Sequence, residues 1–157
     1  LLQGVDFLAE DAVFVQPESL LAAGVANYLH VQADALRFVD DDEVRRWIGQ
    51  APIIRRRSGV EKFEADLRQG HGRLAAAPLE LVGAVFVSSH SAEDPDVLLS
   101  PIPEHEIAAR LCADQPYAAT QPGWHRFGQR LMQAGVHQLR RGRHPRDSVD
   151  ALRQLLG

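Results

Sequence analysis

The sequence predicts an α/β protein, a mixed sheet flanked by helices, on three observations. Near-continuous apolar runs at 5–8 and 12–15 bracket an acidic pair, the pattern of strands covered on both faces. Residues 62–68 alternate charged and apolar side chains, the period of a half-buried strand. Two later stretches carry apolar residues at helical spacing: Trp124, Phe127, Leu131 and Met132, then Val149, Leu152, Leu155 and Leu156.

In chain order, residues 1–4 read as the tail of a helix stopped by Gly4, which takes a left-handed conformation without a Cβ penalty. Glu10 and Asp11 follow the first strand. An unpaired carboxylate in a dry interior would lose its charge, so the pair belongs at a strand end, where open α/β sheets bind ligands. Gln16, Pro17, Glu18 and Ser19 make a turn, and residues 20–35 fit no single period. Leu36, Arg37, Phe38 and Val39 form a short expected strand. Asp40, Asp41, Asp42 and Glu43 then open a helix to about Gly49, with acids at the positive end of its dipole; a metal site is their alternative.

Residues 51–54 are apolar, and the alternating strand at 62–68 is expected to pair as an antiparallel hairpin with a second strand at 79–87. A loop with three prolines covers 88–103, and Pro103 suits the first turn of a helix to about Ala113. After a turn-rich stretch come the helix from Trp124, a short strand at 136–139, and a closing helix at 145–156 with its leucines inward. No repeat or composition break divides the chain, so 1–157 reads as one domain.

With 157 residues and 45% hydrophobic content, the chain can bury a core. No run approaches the roughly 20 apolar residues of a membrane span, and no secretory signal opens the sequence. Cys112, the single cysteine, excludes an internal disulfide framework, which makes the cytoplasm the expected compartment. The net charge of −4 is uneven: residues 1–123 hold 19 acids and 10 bases, residues 124–157 hold 2 acids and 7 arginines. A basic tail is one way to meet nucleic acid. Sixteen of the 17 basic residues are arginine, however, which fits a coding bias better than selection for phosphate.

Four runs carry a family resemblance: 6–15, 24–31, 53–68 and 115–156. Together they resemble the HPr kinase/phosphorylase superfamily, which is also similar to the ATP-dependent phosphoenolpyruvate carboxykinases. The resemblance implies an ATP-dependent phosphotransferase that uses Mg2+ and transfers to a hydroxyl-bearing acceptor, a protein serine among the candidates. It makes Glu10 and Asp11 the catalytic pair, one acid orienting or deprotonating the hydroxyl and Asp11 holding the metal. The family usually has two aspartates here, and Glu10 is a methylene longer. Arg55, Arg56 and Arg57 become phosphate ligands, since guanidinium forks match phosphate oxygens. On an extended segment at most two of them can converge on one ligand, and a solvated charge run is the alternative.

Two departures bear on activity. A Walker A loop needs lysine followed by serine or threonine, whereas Lys62, the only lysine, precedes Phe63. The Glu-x-Arg-Gly-x-Gly signature of HPr kinases proper is also missing. The expectation is therefore the acceptor-side and magnesium-binding C-terminal part of a longer kinase-like protein, inactive alone and active when joined to an upstream P-loop. The alternative is a non-catalytic regulatory or interaction module of the same fold. Self-association stays open. Other constellations are weaker: Ser88, Ser89 and His90 lack a nucleophile elbow, the seven histidines lack close metal spacing, and Trp124 and Phe127 read as core. His30 lies in a family-like run, but a lone histidine is more often structural.

Overall fold

A computed structural model describes residues 6–25, 27–69 and 72–157, which form an α/β arrangement of three small sheets and four α-helices. The expected helix tail and Gly4 stop lie outside the described residues. The chain divides into two compact units, Leu1–Val15 with Ala22–Leu79 and Gln16–Leu21 with Glu80–Gly157. None of the described helices is long and apolar enough to cross a membrane.

In the first unit, β1 (Val13–Val15) pairs antiparallel with β2 (Leu21–Gly24), matching Val13 to Gly24 and Val15 to Ala22. The strand expected before the acidic pair is reduced, over its described residues, to one parallel bridge from Phe7 to Leu74. The strand after it exists but is not covered: Phe14 is 75% exposed at the sheet edge. An apolar run marks a strand without saying whether anything packs on it.

The next sheet explains itself from the alternating sequence. β3 (Tyr28–Val31), β4 (Ile53–Arg55) and β5 (Glu61–Asp66) lie in the order β3-β5-β4, all antiparallel. Phe63 and Ala65 turn toward helix α1 (Asp42–Gly49), where Ala65 meets the buried Val44 and Ile48. Asp41 starts α1 by accepting from the backbone N–H of Glu43 and Val44 at 2.9 and 3.0 Å, so these acids do form a helix start. The strand expected at 36–39 is instead the end of a 3-10 helix, Ala33–Phe38. Leu36, in the coil, and Val39, just after it, both pack on the α1 cluster.

A two-residue strand, β6 (Leu79–Glu80), completes the order β1-β2-β6. The second unit is built on β7 (Ala84–Ser91), β8 (Leu99–Pro101) and the central β9 (Val136–Arg141), parallel to β7 and antiparallel to β8. The expected hairpin between 62–68 and 79–87 is therefore replaced: β5 pairs with β3 and β4, and β7 with a strand more than forty residues on. Edge complementarity across the fold decides pairing, and one strand's own pattern does not encode it.

Helices α2 (Glu104–Asp114) and α3 (Trp124–Ala134) separate β8 from β9 and bury Ile107, Leu111 and Leu131 against Ile102 and Val136. Trp124 and Phe127 pack on this core, ring centroids 5.3 Å apart. Truncating such a core aliphatic residue to alanine costs about 2–5 kcal/mol. Helix α4 (Pro145–Leu156) begins with a capping box. His144 Nδ1 accepts from Arg146 N–H, and Asp147 accepts from His144 N–H at 2.8 Å. Its leucines are not all inward: Leu156 is 64% exposed. Helical spacing tells which face is apolar, not how far along the helix its cover reaches.

Candidate functional site

Because β5 alternates, the face of the β3-β5-β4 sheet opposite α1 is polar. Cross-strand partners share a face, so Tyr28 with Asp66 and His30 with Glu64 stand together there. Glu64 Oε2 lies 3.1 Å from His30 Nε2. The other side of the ring is held by Glu10, whose Oε2 accepts from the His30 backbone N–H at 2.7 Å and lies 2.8 Å from Nδ1. The imidazole, its side chain 10% exposed, is thus clasped between two carboxylates.

Glu10 reaches this position because the chain before it lies close against the end of β2. A Cβ on Gly24 would stand 1.9 Å from the carbonyl oxygen of Leu8, so only glycine permits the approach. Arg56 arrives from the β4–β5 turn. Its N–H donates to Val60 C=O at 2.9 Å, its C=O accepts from Gly59 N–H at 2.9 Å, and Gly59 supplies the left-handed residue (φ 83°). The Arg56 guanidinium then sits 3.5 Å from Asp11 Oδ2 and 3.4 Å from His30 Nδ1.

The 2.8 Å contact is one in which Nδ1–H donates to Glu10, because a bare Nδ1 would set two acceptors against each other, and the Arg56 guanidinium lies alongside.

Of the residues expected from sequence, Glu10, Asp11 and Arg56 come together; Arg55 and Arg57 do not join them. Arg55 pairs in register with Glu61 on the α1-side parity of β4, and Arg57 lies in the turn. Neither makes an ion pair or hydrogen bond among the described residues. Glu10 is committed to His30, whereas Asp11 is 64% exposed and held only loosely by Arg56. Among the described residues, no group of three or more His, Cys, Asp or Glu side chains is arranged to hold a metal ion. Glu10 and Glu64 flank opposite edges of the ring and cannot point at one ion with it.

His30 and Glu64 are the members that sequence reasoning left out. The signal for Glu64 was the alternation itself, which sets Lys62, Glu64 and Asp66 on one polar face. No protein-family model matches this chain, and no curated protein or solved structure matches it either.

Proposed function

We propose that this cluster is the acceptor side of an ATP-dependent, HPr-kinase-like phosphotransferase. The observation that supports the reading is the convergence of Glu10, Asp11 and Arg56, from two distant segments, around an immobilised His30. In this role the Arg56 fork binds phosphate oxygens and releases Asp11, whose exposed carboxylate orients the acceptor hydroxyl. Glu10, fixed by two hydrogen bonds from His30, keeps its Oε1 for the hydroxyl proton as the oxygen attacks phosphorus. His30 and Glu64 position Glu10 and exclude water from its inner edge. Mg2+ bound with ATP would neutralise charge on the transferred group. Asp11 is the residue suited to share it, because magnesium needs only one or two protein carboxylates beside phosphate oxygens and water.

The test is transfer of labelled phosphate from MgATP to hydroxyl acceptors by the longest natural form of the protein. Asp11→Asn removes the charge with little change of shape, and Arg56→Lys keeps the charge without the planar fork. Each is expected to lower transfer at least about 100-fold, the scale of losing one pre-organised charge contact, with the thermal melt unchanged. Full transfer in both variants would remove the cluster from the chemistry. A non-catalytic interaction module of the same fold is the second reading, favoured by the exposed Val13 and Phe14 on edge strand β1.

A further inference from the structure

The second unit holds a cleft that the acidic cluster does not use. Its volume is about 620 Å³, within the range of small-molecule sites. One wall is the polar face of α3, where Arg126, Gln129, Arg130 and Gln133 recur at i, i+3, i+4 and i+7 behind the buried Leu131. Glu18 and Glu104 complete the charged lining, and Glu104 opens α2.

Two of the four charges pair with each other at the surface. Arg126 Nη1 donates to Glu18 Oε1 at 3.1 Å. Arg130 uses its Nε to donate to the Glu18 backbone carbonyl at 3.0 Å, which anchors the guanidinium and leaves both Nη groups without a partner among the described residues. Glu104 likewise makes no hydrogen bond or ion pair among them. The cleft therefore offers one oriented cation, one open carboxylate and two amides that can donate or accept.

We infer that this cleft binds a small zwitterion, a free α-amino acid, its carboxylate on the Arg130 fork and its ammonium on Glu104. A simple anion such as phosphate would meet Glu104, and a simple cation would meet Arg130; only a ligand carrying both charges satisfies both. No aromatic ring lines the cleft, so there is no platform for a base or sugar. Met132 is its single apolar side chain, which favours a small or polar ligand side chain.

The experiment is an NMR titration of the whole chain with each of the twenty L-amino acids at millimolar concentration. At least one is expected to shift the α3 amides in a saturable way. Its N-acetyl derivative, which lacks the ammonium, and its amide, which lacks the carboxylate, should each bind about tenfold or more weakly, the loss of one charge-assisted contact. Glu104→Gln and Arg130→Gln alter exposed side chains and should lose the shifts while the remaining spectrum stays folded. The inference is overturned if no amino acid binds, if the blocked derivatives bind equally well, or if both variants bind as the parent does. Glycylglycine carries the same two charges farther apart, and tighter binding of that dipeptide would overturn the free amino acid as ligand. The cleft lies outside the Glu10–Arg56 cluster, so neither outcome depends on phosphoryl transfer.

Discussion

His30 shows how one residue acquires a role that its own identity does not declare. An imidazole alone in a sequence is an acid, a base, a ligand or filler. Here it is clasped by Glu10 and Glu64, and its backbone and ring together fix the Glu10 carboxylate. On the same face, Asp66 accepts from Arg68 at 2.8 and 2.7 Å through two guanidinium nitrogens, and these hydrogen bonds hold its carboxyl below the ordinary value of 3.8. A carboxyl lowered by folding contributes stability that is fully present above its unfolded value and is lost as pH falls through the folded one. Asp66→Asn should therefore lower stability at pH 6–8 only slightly, since the pair is exposed, and flatten the decline below 3.8. Urea melts at several pH values check this. Parallel acid limbs in parent and variant would show that the Arg68 pair does not couple to folding.

At the scale of elements, the site depends on a turn, a strand and a close approach. Alternation in β5 is local information, and it correctly divides the sheet into an apolar face for α1 and a polar face for the cluster. The approach of the Leu8 backbone to Gly24 is not local: no spacing rule relates residues sixteen apart across a turn. Gly24→Ala must push the Leu8 carbonyl away, since 1.9 Å is far inside any real contact. The expected result is displacement of Glu10 from His30, with a stability loss of about 1–3 kcal/mol, the cost of overpacking. The His30 backbone amide, bonded to Glu10 in the parent, should then exchange with solvent faster, while amides of β9 keep their protection. Unchanged exchange at His30 would mean that Gly24 does not set the position of Glu10.

For the whole molecule, the question is what these 157 residues do without help. Lys62 is the only lysine, and it stands on β5 among carboxylates instead of in a glycine-rich loop. The sequence given contains no Walker A motif, whose backbone cradles nucleotide phosphates. Purified 157-residue protein is expected to show no magnesium-dependent ATP turnover and only weak nucleotide affinity, measured by phosphate release and calorimetry. Sustained turnover that Asp11→Asn abolishes would mean that nucleotide is held by residues outside any Walker-type loop.

The sequence by itself determined the α/β class, the helices from Asp42, Glu104, Trp124 and Pro145, and strands β5 and β9, because periodicity, capping acids and prolines are local signals. It also marked Glu10 and Asp11, since carboxylates beside apolar runs are costly to bury and so stand at strand ends, and the run Arg55, Arg56 and Arg57 as a whole. Only the tertiary structure decided that β7 pairs with β9, that Phe14 is bare, and that Leu36–Phe38 coil instead of extending. It alone chose Arg56 from the three arginines, set it beside Asp11 and His30, and brought Glu64 to the other side of the ring. Such choices depend on which surfaces meet after the chain closes, and contact free energies between distant segments are not written in the spacing of either one.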